Sequence, residues 1–222
     1  MFAHIIFDCD GVLIDSEEIS MATDQALLAE NGVVISEQEM HRRFVGKTFT
    51  AMVEELEAER GIRLPTDLEA RKDEIMLERY RLGLQPVAGV HQALDAITHP
   101  KSIGTNGPRH RALLALEVTG IAHHFDGRLT TFEDVTRGKP FPDVYLLAAE
   151  RAGFPPSECL VIEDSVTGVA AAVAAGCPTL GFTGSHLHRS EHALALTRLG
   201  AMRVFNDMAE LPDMLNRLNG LP

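Results

Sequence analysis

The sequence predicts an α/β protein: a parallel-sheet core with an all-helical domain inserted near its start. Three observations carry that prediction. Short β-branched and aromatic runs alternate with helical stretches through most of the 222 residues, a rhythm that makes βαβ units and a sheet covered on both faces. Residues 16–85 break the rhythm with helices alone. Acidic pairs stand directly behind two of the strands.

The first strand is expected at residues 4–7 (HIIF), an apolar run of the buried parallel type that stops at Asp8-Cys9-Asp10-Gly11. Further strands are expected at 101–105, 129–131, 159–162, 178–182 and 202–205. Pro108 and Pro142 are placed at the first positions of two helices, where the missing N–H costs nothing. Ser165 is placed as the cap of a third helix that stops at Gly176. These stretches, residues 1–15 and 86–222, form the predicted core.

The insertion, residues 16–85, reads as four helices. Ser16 opens the first and Asn31-Gly32 closes it. Ser36 with Glu39 and Thr66 with Glu69 fit capping boxes. The remaining helix covers about 50–60 and ends at Gly61. Counted from Asp15 to Gln85 inclusive there are sixteen acidic and nine basic residues, so this stretch, with Asp15, supplies −7 of the formal charge of −12.

That charge, from 20 Lys+Arg against 32 Asp+Glu, excludes a broad basic face for nucleic acid. Cys9, Cys159 and Cys177 are odd in number and widely spaced, which predicts free thiols and a reducing, cytoplasmic location. The longest apolar stretch, 160–182, is interrupted by Glu163 and Asp164, and no signal-peptide pattern precedes the first strand. No membrane partner is expected. Nor does any heptad seam or apolar patch mark a subunit interface, so a monomer is the expected state.

In open parallel sheets ligands bind beyond the carboxyl ends of the strands. Asp8 and Asp10 end the first strand, and Glu163 and Asp164 end the strand at 159–162. Singly, each acid is an ordinary loop starter. Four converging carboxylates repel one another and call for a cation, and a hard divalent ion with oxygen ligands, Mg²⁺, answers that demand. Thr105-Asn106-Gly107 before Pro108 offers a hydroxyl and backbone N–H groups to an anionic oxygen; it also fits a plain Asn-Gly turn. Lys139, its backbone restricted by Pro140, is aimed at the carboxylates. A metal, an anion pocket and a lysine together point to phosphoryl transfer to or from a small phosphorylated metabolite. Asp8 is the candidate nucleophile. Asp10, on the same side of an extended segment two residues on, is the candidate general acid and base.

Asp8-Cys9-Asp10-Gly11-Val12-Leu13-Ile14-Asp15-Ser16, Thr105-Asn106, Lys139-Pro140 and Glu163-Asp164-Ser165 resemble, in order and spacing, the four motifs of the haloacid dehalogenase superfamily. The resemblance implies a Rossmann-like core with a small C1-type helical cap, as in the branch of phosphoglycolate phosphatase and β-phosphoglucomutase. It implies Mg²⁺ held by Asp8, the Asp10 carbonyl and Asp164 with Glu163 assisting, and a phosphoryl group held by Thr105, Asn106 and Lys139. The dehalogenases of the superfamily lack the second Asp, so Asp10 argues against carbon–halogen cleavage. A sugar phosphomutase is the alternative activity. The mutase pattern places a His ten residues after Asp10, where this chain has Ser20, and an Arg three residues beyond Gly46, where it has Phe49. The stretch 8–16, with Thr105-Asn106-Gly107-Pro108 after the second strand, most resembles bacterial sugar-phosphate phosphatases, including those acting on 6-phosphogluconate.

Arg42, Arg43 and Lys47 form a basic cluster in an acidic segment. They read either as a substrate-selecting loop, in which Gly46 permits close approach and Lys47 contacts the leaving group, or as a solvated helix end. Met21, Met40, Met52 and Met76 are expected to fill packing gaps among these helices. His186, His188 and His192 match no zinc spacing and read as a surface loop and helix start, with at most a secondary role at the pocket mouth. His123-His124 reads as a turn packed on the core. Cys9 should face away from its two acidic neighbours, its thiol raised in pKa.

Overall fold

The computed structural model describes residues 2–44, 47–186, 189–218 and 220. The chain divides into two compact units, Met1–Asp15 with Gln85–Pro222 and Ser16–Leu84. In chain order the elements are β1 (His4–Phe7), β2 (Ile14–Asp15), α1 (Glu17–Glu30), α2 (Glu37–Phe44), α3 (Phe49–Arg60), α4 (Leu68–Gly83), β3 (Gln85–Pro86), α5 (Val90–Ala96), β4 (Lys101–Thr105), α6 (Arg109–Val118), β5 (Leu129–Thr131), α7 (Asp143–Ala152), β6 (Cys159–Glu163), α8 (Val166–Ala174), β7 (Thr179–Phe182), α9 (Arg189–Arg198), β8 (Arg203–Phe205) and α10 (Leu211–Leu218).

The larger unit is an α/β fold around a six-stranded sheet of order β5-β4-β1-β6-β7-β8, parallel at every pairing. β1 is central: Phe7 sits opposite Ile103 on one side and Ile162 on the other. β1, β4, β6 and β7 are buried along their whole length; β1 and most of β6 read as continuous apolar runs for that reason, whereas β4 buries Lys101, Ser102 and Thr105. Successive side chains face opposite ways. Ile6 packs with Tyr145, Ala148, Val161, Ala171 and Ala172, whereas Phe7 meets Phe125 edge-on at 6.1 Å. The alanines of α8 leave no bulk between helix and sheet, so β6 is held close.

Two short strands escaped the sequence reading. β2 and β3 pair antiparallel, with Asp15 opposite Gln85; two residues are too few to show a period. This pairing places Gln85 with the sheet unit rather than with the helical segment. Pro108 and Pro142 prove to be caps, with Arg109 and Asp143 starting α6 and α7. Pro108 has an extended ψ of 145°, which keeps it outside the helix.

The smaller unit contains the four expected helices. Leu27, Leu28, Met40, Phe44, Phe49, Met52, Leu56 and Leu68 form its core. Met76 is also buried, and Met21 is partly so. Gly61 ends α3 at φ 64°, a conformation costly for any residue with a Cβ. The Thr66–Glu69 box is not made: Asp67 is the cap of α4, and the Glu69 carboxylate instead accepts the Thr50 hydroxyl.

All three cysteines are buried and unbridged. Among the described residues no helix is long and apolar enough to cross a membrane.

Candidate active site

The parallel order sends the carboxyl ends of β1, β4 and β6 to one edge, and the sequence-predicted acids meet there. The Asp8 N–H extends the ladder to the Ile162 carbonyl at 2.9 Å, fixing the carboxylate just past the strand. Asp8, Glu163 and Asp164 are buried and offer oxygen atoms within 4.8 Å of one another. Between them stands Lys139. Its Nζ donates to Asp8 Oδ1 at 2.7 Å and to Glu163 Oε1 at 2.6 Å, and only 2% of its side chain is exposed.

Glu163 is held on both oxygens, by Lys139 and Tyr145 from distant parts of the chain and by Ser165 two residues on. Oε1 also accepts the Tyr145 hydroxyl at 2.9 Å, from the first turn of α7. Oε2 accepts the Ser165 N–H and hydroxyl, and the Ser165 hydroxyl in turn caps α8 by accepting from Gly168 N–H. A Cβ on Gly168 would lie 1.6 Å from Glu163 Oε1, so the glycine makes room for the carboxylate. Gly11 does the same for Asp164. Its φ is +75°, and a Cβ there would lie 2.0 Å from Asp164 Oδ2.

Asn106, expected at the phosphoryl group, has its side-chain amide engaged elsewhere. Its Oδ1 accepts the Lys139 N–H at 2.8 Å and its Nδ2 donates to the Lys139 carbonyl at 3.1 Å. It clamps the main chain that carries the lysine. The buried Thr105 hydroxyl accepts the Gly107 N–H at 2.9 Å. Asp10 stands apart from the three-carboxylate group: its Oδ2 lies 3.3 Å from where a Cβ on Gly107 would be, at the head of α6.

The electrostatics follow from three buried carboxylates sharing one ammonium. Burial pushes Asp8 well above the usual carboxylate range; Lys139 opposes the shift, and Glu163 and Asp164 add to it. For Lys139 burial pulls downward, but the Asp8 and Glu163 carboxylates outweigh it and hold the ammonium charged. The Tyr145 phenol is raised by burial and then by Glu163 and Asp8, so it stays protonated as a donor. Cys9 is likewise raised, by burial first and then by Asp10 and Asp8, and is no nucleophile. The excess negative charge is what a divalent cation would remove. An all-oxygen donor set is the chemistry Mg²⁺ prefers.

Of the supports of this cluster, sequence reading missed Tyr145 and gave His186 and His192 at most a secondary role at the pocket mouth. Tyr145, six residues after Lys139, had as its only signal a tyrosine among apolar residues in the first turn of α7. His186 Nε2 lies 3.0 Å from Asp164 Oδ2, while His192 Nε2 contacts the Asp164 carbonyl. Their rings stack at 3.8 Å. The two histidines thus hold Asp164, one at its carboxylate and one at its carbonyl. His188 and Gly46 lie outside the described residues. Lys47 belongs to the helical unit, where its Nζ pairs with Glu55 and lies 5.3 Å from the Phe44 ring centroid. Arg43 pairs with Glu39, Glu55 and Glu59.

This geometry can be set beside known proteins. The 6-phosphogluconate phosphatase of Escherichia coli K12 is 26% identical over 212 residues, covering 95% of this chain and 93% of the relative. A phosphorylated carbohydrates phosphatase of Thermotoga maritima is 32% identical over 78% of this chain and 81% of its own. Among solved structures, a HAD family hydrolase of Deinococcus radiodurans R1 with bound phosphate and sodium superposes with a TM-score of 0.81 at 36% identity, over 99% of this chain and 97% of the other. The family model described as haloacid dehalogenase-like hydrolase matches residues 5–182, a span that takes in every motif of the strand-end site. The chain belongs to the haloacid dehalogenase-like hydrolase family.

Proposed function

We propose that this protein is a Mg²⁺-dependent phosphatase that hydrolyses a small organic phosphate monoester, a sugar or sugar-acid phosphate, through an aspartyl-phosphate on Asp8. The observation that supports it most is the buried Lys139 ammonium bridging Asp8 and Glu163 beside Asp164. A structural ion pair would need one carboxylate. This site has three, with the surplus charge that a metal–phosphate complex requires.

Asp8, Asp164 and the Asp10 carbonyl would hold Mg²⁺, with Glu163 assisting. When bound, Mg²⁺ supplies charge neutralisation for the carboxylates and for the phosphoryl oxygens. The ionised Asp8 attacks phosphorus while the phosphorus–oxygen ester bond breaks, and Asp10 gives its proton to the leaving alkoxide. Asp10, now a carboxylate, takes a proton from water, which attacks the same phosphorus and frees Asp8 and inorganic phosphate. Lys139, the Thr105 hydroxyl and the backbone N–H groups at the head of α6 hold the phosphoryl oxygens in place. Asn106 contributes through Lys139. Selectivity among esters is assigned to the helical unit through Lys47 and Gly46.

Both named phosphatase relatives favour hydrolysis over phosphoryl shift within the substrate. The test is a panel of phosphorylated sugars and sugar acids. Released phosphate should require Mg²⁺ and vanish with EDTA. A hexose 1-phosphate converted to its 6-phosphate without phosphate release would establish the mutase instead.

A further inference from the structure

A second cluster of ligating side chains uses none of the strand-end motif residues. Asp95 closes α5 on its exposed face, and His123 and His124 form the end of the 3-10 turn Ala122–His124. One ligand atom from each of the three lies within 4.8 Å of the other two. α5 leads into the start of β4, and the 3-10 turn leads into the start of β5. In a parallel sheet this puts the cluster at the end opposite the catalytic acids.

His124 is the informative member. Its side chain is 9% exposed, and its buried Nε2 has no hydrogen-bond partner. A buried polar atom left unpaired is costly and asks for an explanation. Asp95 Oδ1 is 3.5 Å away, beyond the range of a good N–H···O bond. That separation is close to the roughly 3.3 Å expected between two ligands of one tetrahedral ion with bonds of about 2.0–2.1 Å. His123 closes the group, its ring centroid 4.0 Å from that of His124. His91 stands one turn before Asp95 on α5, the spacing that shares a helix face. Its Cε1 lies 3.9 Å from where a Cβ on Gly120 would be, just ahead of the 3-10 turn.

We propose that Asp95, His123 and His124 form a binding site for a divalent transition-metal ion, Zn²⁺, that ties α5 to the turn before β5. Two imidazoles and a carboxylate are the donors Zn²⁺ takes. The all-oxygen cluster of Asp8, Glu163 and Asp164 suits Mg²⁺. One chain thus carries two cation sites that differ in chemistry and lie at opposite ends of the sheet. The Zn²⁺ site leaves a fourth position for water or for His91.

The test is titration of the full chain with Zn²⁺ by calorimetry, in excess Mg²⁺, on the wild type and on His123→Ala, Asp95→Ala and Asp8→Asn. Asp95 and His123 are exposed, so their replacement spares the core; equal unfolding midpoints in EDTA check this. The expected result is one fewer Zn²⁺ per chain, or affinity at least ~10-fold weaker, in His123→Ala and Asp95→Ala, with that same ion retained in Asp8→Asn. Unchanged Zn²⁺ stoichiometry and affinity in both His123→Ala and Asp95→Ala would overturn the assignment. Phosphate release by those two variants in Mg²⁺ reads the catalytic site separately.

Discussion

Two lysines read from the sequence as site residues ended in opposite environments. Lys139 is buried between Asp8 and Glu163, its backbone clamped by Asn106. Lys47, in the helical unit, pairs with a half-exposed Glu55 that it shares with Arg43. Both make ion pairs, yet the physics differs. Water screens the second pair, and such contacts contribute little. Around Lys139 water is excluded, each charge depends on its neighbours, and removal of one partner leaves the others uncompensated. A buried surplus of carboxylates is kept for what it binds, whereas the exposed pair adds little to stability and leaves Lys47 free to be replaced without loss of the fold.

The largest effect should come from breaking the buried pair. Lys139→Met is expected to lower turnover of an aryl phosphate by ~10²–10³-fold or more. It should also cost about 3–5 kcal/mol of stability, measured by urea unfolding, because Asp8 and Glu163 lose their common cation.

A smaller effect sharpens the contrast between buried and exposed groups. His4 donates or accepts at Ser102 Oγ, 2.8 Å away, and its Nδ1 is buried without a partner. Burial, with a contribution from Arg128, lowers its pKa to about 4. The unfolded imidazole takes up a proton near pH 6.5, whereas the folded one does so only near 4. Stability from this group is therefore complete above about pH 6.5 and falls as pH drops toward 4, by on the order of 2–3 kcal/mol. Unfolding midpoints measured across that window should show the loss, and His4→Gln should flatten it.

The smallest effect belongs to Lys47→Ala. The unfolding midpoint should not move, and aryl phosphate turnover should be unchanged, while relative rates among sugar and sugar-acid phosphates shift. Equal losses on every substrate would remove Lys47 from substrate selection.

How much was legible follows the same division. β1 and β6 could be read because buried parallel strands run apolar, the other core strands from their β-branched residues and their place between helical stretches, and the acids because they sit immediately behind the strands. Ser165 could be read because capping is local: acceptor and donor lie three residues apart. β2 and β3 were too short to show any pattern. Asn106 was placed at the phosphoryl group from its motif alone, and nothing local reveals that its amide also reaches Lys139, 33 residues on. Tyr145, His186 and the convergence of Asp95 with His123 and His124 depend on tertiary packing between separate elements, to which sequence spacing is blind.

The most direct measurement traps the intermediate. Wild-type protein mixed with Mg²⁺ and a turned-over phosphate ester, quenched in acid within one turnover and digested, should yield the Asp8-containing peptide carrying one phosphoryl group. In Asp8→Asn both that adduct and steady-state phosphate release should disappear while the fold is retained. Undiminished turnover by Asp8→Asn, or a phosphoryl group trapped on any other residue, would contradict the assignment.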